Sequence, residues 1–287
     1  MDAMSSTCGA TYRSTEELAE MIESHLVGYI AWLFSSPYSR VEHEPEFTRT
    51  TSDIPHAMCN YVCHSRFSAQ EVGARVDKIM DLFKSRSLPM SWLLGPSCRP
   101  SNLAEVLVSR GFVLDVEVVG MTIDLGHFDE DLPVPGGLTI KRVENDNDVQ
   151  QYLRPLGEGF EFPEFATSGW GRVNSSHGFD PKLPRVDYVA MMEGKPVSCA
   201  TLFKMRDAAG IYCVATVAEM RRKGAATALI INALREARDE GYSMGLLQAK
   251  TAAAGVYRRI GFLDQPCKIG WYVWHPPGLA RESAAGI

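Results

Sequence analysis

The chain has 287 residues, 45% of them hydrophobic and 22% charged. That is the composition of a folded protein with room for two ordinary domains, and it excludes a disordered chain or a mini-protein. Lys and Arg number 29 against 35 Asp and Glu, a net charge of −6 whose field repels polyanions, so we expect no nucleic-acid partner.

Near the start, Met1 to Ala10 lack Lys, Arg and an apolar core, and the longest apolar stretch, Leu26 to Phe34, is too short for a bilayer span. We therefore expect neither a signal peptide nor a membrane anchor. The 7 cysteines are irregularly spaced, which suits reduced thiols in a cytoplasmic protein better than a disulfide framework. His56, Cys59, Cys63 and His64 form H-x2-C-x3-C-H, which fits no zinc geometry, and we expect no metal.

Ser91 to Gly95 reads as a strand and Leu103 to Arg110 as a helix. Gly126 to Gly137 then concentrates acidic residues, Pro and Gly between two apolar-patterned regions. The division expected is a domain at 1–129, a linker at 130–137 and a second domain at 138–287.

After the linker, Leu138 to Val143 alternates as a strand, and Asn145, with Asp148 three positions on, caps a helix running toward Leu156. Glu161 to Pro184 is rich in Gly, Ser, Phe and Pro and reads as a long functional loop. Its aromatic residues Phe160, Phe162, Phe165 and Trp170 are costly to expose and suggest a lid or an apolar pocket. From Tyr188 a three-strand meander follows, turning at Glu193 to Lys195 and Arg206 to Gly210. Cys199 and Cys213 lie within it as apolar residues.

The clearest helix comes next. Ala226, Leu229, Ile230, Ala233 and Ala237 form one face, and Gly241 stands where a left-handed cap belongs. Met244 to Gln248 reads as a strand, Ala252 to Ile260 as a helix ended by Gly261, and Lys268 to Trp274 as a last strand carrying Trp271, Tyr272 and Trp274 on cleft or core faces. The tail from His275 is expected to fray. One internal repeat stands out: Gly111-Phe112 precedes Gly120-Met121 by nine residues, and Gly261-Phe262 precedes Gly270-Trp271 by the same nine. Each pair follows a strand and a helix, so the halves look like copies of one plan.

Arg221-Arg222-Lys223-Gly224-Ala225-Ala226 opens the amphipathic helix directly after a strand. Unpaired N–H groups, a positive dipole end, a glycine and three cations make an anion cradle, though a solvated basic turn has the same composition. It is neither a P-loop nor a GxGxxG fingerprint.

The run VATVAEMRRKGAATALI, with Arg/Gln-x-x-Gly-x-Gly/Ala at Arg221, Gly224 and Ala226, resembles the acyl-CoA pyrophosphate loop of the GNAT acetyltransferase superfamily, and VYRRIGF resembles its second hallmark. The resemblance spans roughly Leu138 to Trp274. It implies an α+β protein of two tandem GNAT-like domains, each a mixed, mostly antiparallel sheet flanked by helices. Val217 and Ala218 would offer backbone groups to the pantetheine arm of acetyl-CoA. Arg221, Arg222, Lys223, Gly224, Ala225 and Ala226 would hold the pyrophosphate, and Tyr257 would protonate the departing thiolate. The base that deprotonates the amine has no spacing of its own; Glu219, Glu158, Glu161 and Glu164 are candidates. The family's Asn before the tyrosine is missing from LQAKTAAAGV.

The first half resembles the family more weakly, through WLLGPSCRPSNLAEVLVSRGF. It lacks the pyrophosphate motif, and Leu107 replaces Tyr257 in the repeat, so it is expected to be a degenerate copy with no acyl-CoA of its own that shapes the acceptor cleft. The expected reaction is acetyl transfer from acetyl-CoA to a primary amine of a small molecule or peptide, by direct attack in a ternary complex. A catalytically silent acyl-CoA sensor and a GNAT-fold acyl-CoA decarboxylase remain the alternatives. The sequence gives no indication of oligomeric state.

Overall fold

The two halves follow one plan, as the repeated Gly-Phe pairs suggest. In the first, α1 (Thr15–Leu33) precedes β1 (Ser39–Glu44), β2 (Phe47–Ser52), β3 (Tyr61–Cys63), α2 (Val72–Ser85), β4 (Met90–Leu94), α3 (Leu103–Val108) and β5 (Val113–Asp124). The second runs β6 (Leu138–Arg142), α4 (Asp146–Phe160), α5 (Glu164–Ser175), β7 (Arg185–Met192), β8 (Lys195–Met205), β9 (Ala208–Thr216), α6 (Ala225–Asp239), β10 (Met244–Lys250), α7 (Ala254–Ile260) and β11 (Leu263–Trp274). The structure is a computed structural model that describes residues 13–279. Met1 to Ala10, and the part of the tail past Leu279, lie outside the described residues.

Local chemistry sets most boundaries. Asn145 caps α4 by accepting the Asp148 N–H at 3.1 Å. Ser14 and Glu17 form a reciprocal capping box at the start of α1. Gly241 after α6 and Gly261 after α7 adopt φ of 96° and 117°, which a side chain would strain.

The repeat is structural as well. Phe112 donates its N–H to the Leu107 carbonyl at 3.2 Å, and Phe262 does the same to Tyr257 at 3.1 Å. Gly111 and Gly261 are both left-handed, and Phe112 and Phe262 are both buried. Leu107 and Tyr257 therefore occupy equivalent places.

One expectation fails. Glu161 to Pro184 is not a loop throughout, because Glu164–Ser175 forms α5, burying Ala166, Trp170 and Val173 along one face. Gly169 and Gly171 lower its intrinsic helix propensity, and packing explains them. A Cβ at Gly169 would come within 2.7 Å of Ile54, and one at Gly171 would collide with Leu153.

Among the described residues, eleven strands form one sheet in the order β1-β2-β3-β4-β11-β5-β10-β9-β8-β7-β6. Of these pairings, β3/β4 and β9/β10 are parallel and the others antiparallel. The last strand of each half sits against the other: β5 pairs with β10, and β11 lies between β4 and β5. Helices α1, α4 and α5 share a core with one face of β8, β9 and β11, while α6 and α7 cover the opposite face. Helices α2 and α3 enclose a third cluster around Trp92 and Phe112. The apolar stretch Leu26 to Phe34 is thus the buried face of a first-half helix lying on second-half strands.

Candidate functional site

β9 and β10 are parallel only from Ala208/Met244 to Gly210/Leu246. Past Gly210 they part, so β9 has no strand partner on that edge and a slot opens. β9 also shifts register against β8, with Cys199 opposite Ala215 but Thr201 opposite Tyr212, and Cys213 takes φ of 50°. This bulge aims the strand's backbone differently on the two sides of Cys213.

At one end of the slot the chain turns into α6. Its N-cap is Gly224, at φ 92°, with no side-chain cap and no acidic residue in the first turn. The opening amides and the positive dipole end are therefore left to whatever binds there. A cleft of about 450 Å³ lies against them, lined by Arg222, Lys223, Gly224, Ala225, Ala226 and Thr227 on this side and by Leu132, Pro133 and Arg259 opposite. These groups fit a diphosphate.

Arg221 is not among the lining residues; its Nε donates to the Thr216 carbonyl at 3.2 Å. Val217 is buried, spending its N–H on Val197 and its carbonyl on the Met220 N–H, both at 3.0 Å. Ala218 is exposed and starts a short turn, Ala218–Met220. Arg259 and Thr227 escaped sequence reasoning. The only hint of Arg259 was the basic pair inside VYRRIGF.

At the other end lies an aromatic cavity of about 80 Å³. Tyr257 is on its wall and packs edge-on against Phe262. Burial pushes its hydroxyl up to about 12, so at neutral pH it holds its proton and can donate it. Phe160, Phe162 and Trp170 line this cavity; Phe165 is exposed instead. Trp271 faces it, whereas Tyr272 and Trp274 pack into the first-half cluster. Leu26, Tyr29, Ile30 and Leu33 of α1 complete the wall, so both halves build it. The sequence signal for α1 was its apolar run, which carries no address.

Tyr29 stacks on Tyr212 at 4.1 Å between ring centres, and its hydroxyl lies 3.2 Å from the Cys213 sulfur. Burial raises the Cys213 thiol to about 11, so it stays protonated. His25 is buried and held down to about 4 by desolvation. Its Nε2–H donates to the Ala208 carbonyl at 3.2 Å, leaving Nδ1 to accept from the Tyr212 hydroxyl at 2.7 Å.

None of the candidate carboxylates lines the aromatic cavity. Glu219 is exposed, 4.0 Å from Arg154. Glu158 pairs with Arg154 at 3.0 Å, Glu161 is the left-handed cap of α4, and Glu164 is exposed in the first turn of α5. Among the described residues, no group of three or more His, Cys, Asp and Glu is placed to hold a metal, and no helix is long and apolar enough to cross a membrane.

The equivalent place in the first half is closed. The β3/β4 contact is prolonged when Arg99 N–H donates to Ser65 at 2.8 Å and Phe67 N–H to Arg99 at 3.1 Å. Trp92 Nε1 then bonds the Ser65 hydroxyl at 2.9 Å. The N-cap of helix α2 is an acidic residue, Glu71, whose carboxylate accepts from the Ser68 hydroxyl at 2.8 Å and disfavours a second anion at that helix start.

Residues 158–262 match the acetyltransferase (GNAT) family profile. No curated protein matches the chain. Among solved structures, a GCN5-related N-acetyltransferase from Kribbella flavida is similar at TM-score 0.68 and 19% identity, over 91% of this chain and 96% of that one. Another from Sphaerobacter thermophilus reaches 0.62 at 16% identity, over 84% of each chain. A tandem GNAT protein from the clavulanic acid biosynthesis pathway reaches 0.55 at 13% identity, over 90% of this chain and 88% of that one. The splayed strands, the uncapped glycine turn and these matches agree: residues 158–262 match the acetyltransferase (GNAT) family, and the chain has the fold of GCN5-related N-acetyltransferases.

Proposed function

We propose that the protein is a cytoplasmic N-acetyltransferase that moves an acetyl group from acetyl-CoA to a primary amine of a small molecule or peptide, by direct attack in a ternary complex. The observation that carries this reading is the presence of three features around the splayed strands: the amides of α6, the open edge of β9 and the Tyr257 hydroxyl. Residues 138–287 would form the catalytic domain. Residues 1–129, joined by the linker 130–137, would bind no acyl-CoA, which the continued β3/β4 pairing supports. The six described cysteines are all unpaired, in keeping with a reducing compartment.

Acetyl-CoA supplies an acetyl group activated as a thioester. Arg222 and Lys223, with the amides from Gly224 to Ala226, hold its diphosphate, and Arg221 adds charge nearby. The open edge of β9 from Ile211 to Thr216 guides the pantetheine arm, with Ala218 beyond it, since Val217 already uses its N–H and carbonyl within the protein. Tyr257 gives its proton to the departing sulfur. Glu219 takes the proton from the amine by way of water, since it is exposed. Mass spectrometry of acetyl-CoA incubated with the protein and a panel of amines tests the reading. An acetylated amine together with free CoA is the expected result. Loss of the acyl group without any amine product would point to hydrolysis or decarboxylation instead.

A further inference from the structure

We propose that α1 of the first half is the pin that keeps the coenzyme slot of the second half open, with His25 as the positioning residue at the fork where β9 and β10 part. The slot's ligand is taken from the acetyltransferase reading; the pin itself rests on geometry alone.

Gly210 and Leu246 are the last parallel pair, and among the described residues no strand partner follows on that edge of β9. Free N–H and C=O groups on a strand edge gain by closing on a neighbour. In the first half they do: β3 and β4 stay joined through the hydrogen bonds from Arg99 to Ser65 and from Phe67 to Arg99. On its other edge β9 is loosened by the bulge at Cys213, where its register against β8 shifts. The splayed strand therefore has to be held from a face of the sheet, and α1 packs on that face.

His25 bridges the fork. Its Nε2–H donates to the Ala208 carbonyl at 3.2 Å, before the strands part, and its Nδ1 accepts from the Tyr212 hydroxyl at 2.7 Å, after they part. A Cβ on Gly210 would fall 2.6 Å from His25 Cε1 and 2.5 Å from Tyr212 Cε2, so glycine lets both rings lie directly on the fork. One turn further along α1, Tyr29 stacks on Tyr212 and meets the Cys213 sulfur at 3.2 Å, which fixes the bulge. The same helix holds the opposite prong, because Gln248 of β10 donates from Nε2 to the Ile22 carbonyl at 3.4 Å. Helix α1 thus grips both strands beside the gap between them, and side chains of one half set the width of the ligand slot in the other.

The test uses Tyr212→Phe, which removes the hydroxyl and keeps the stacked ring, and Gly210→Ala, which pushes the two rings off the fork. Val76→Ala, in the separate cluster under α2, controls for lost stability alone. The readouts are amide hydrogen exchange at residues 211–216, measured relative to β7, and calorimetry with CoA. Both pin variants should show about tenfold faster exchange there and about tenfold weaker CoA binding, the effect of losing one buried hydrogen bond. In turnover, KM for acetyl-CoA should rise with kcat nearly unchanged, and Val76→Ala should alter none of these. Where the wild type binds CoA, unchanged exchange or unchanged affinity in the pin variants overturns the proposal, and so does a loss confined to kcat. The same changes in Val76→Ala also overturn it, by making the effect one of overall stability. If the wild type binds no CoA, the acetyltransferase reading fails, and exchange alone decides the pin: faster exchange at 211–216 in both variants supports it, and unchanged exchange overturns it.

Discussion

The Pro133 carbonyl oxygen lies 3.0 Å from the point that a Cβ on Gly224 would reach, so the linker forms the roof of the turn that opens α6. Glu130 ties the same linker down through ion pairs to Arg235 and Arg238.

Gly224→Val therefore meets two obstacles: a left-handed φ of 92°, which costs a non-glycine residue about 1–2 kcal/mol, and the linker carbonyl above it. Calorimetry with CoA should show at least a 100-fold weaker Kd. Unchanged affinity would place the diphosphate elsewhere.

Tyr257→Phe removes the proton donor and leaves the ring packed on Phe262. The expected result is a fall in kcat of about 10² to 10⁴ with CoA affinity retained. Because burial holds this hydroxyl near 12, the wild-type rate should show no basic limb from it between pH 8 and 10. Fluorinated tyrosine at position 257, which makes the phenol more acidic and so lowers its pKa, should bring such a limb into range.

His25 and His56 are both held near 4 by burial. The native state thus refuses protons that the unfolded chain accepts below about 6.5. Their stabilising effect is complete above 6.5 and is lost as pH falls from there through 4, by at most about 3 kcal/mol for each. Chemical denaturation between pH 7 and 4 should show that slope. His25→Gln should flatten it, and an unaltered slope would assign the acid sensitivity to other groups.

Arg185 and Asp187 form an ion pair at 3.1 Å with both side chains nearly inaccessible, and Thr201 donates to Asp187 at 2.6 Å. Asp187→Ala strands the guanidinium under Trp32 of α1. A loss of about 3–5 kcal/mol is expected from breaking a buried pair on one side, measured as a shift in denaturation midpoint. A neutral effect would mean that water reaches Arg185.

The meander and α6 were legible because their information is local: alternation with turn residues for one, a 3.6-residue stripe ending at Gly241 for the other. Helix α5 was hidden because Gly169 and Gly171 answer to Ile54 and Leu153, residues that no nearby spacing reveals. Of the turn's residues, Arg222 to Ala226 line the cleft and Arg221 does not, a difference that composition does not carry. Arg259 was not legible, since a basic residue on an exposed helix looks the same whether or not it faces a cleft. Nor could sequence assign α1 to the aromatic cavity: an apolar stripe specifies burial and says nothing of which strands do the burying.

The crossing of β5 and β11 makes the molecule inseparable along its own apparent seam. Severing the chain between 130 and 137 should leave two fragments that stay clasped, because each keeps a terminal strand lodged in its sibling. Either fragment produced alone would bare a sheet edge meant for that missing strand, and would aggregate or recruit a second copy in its place.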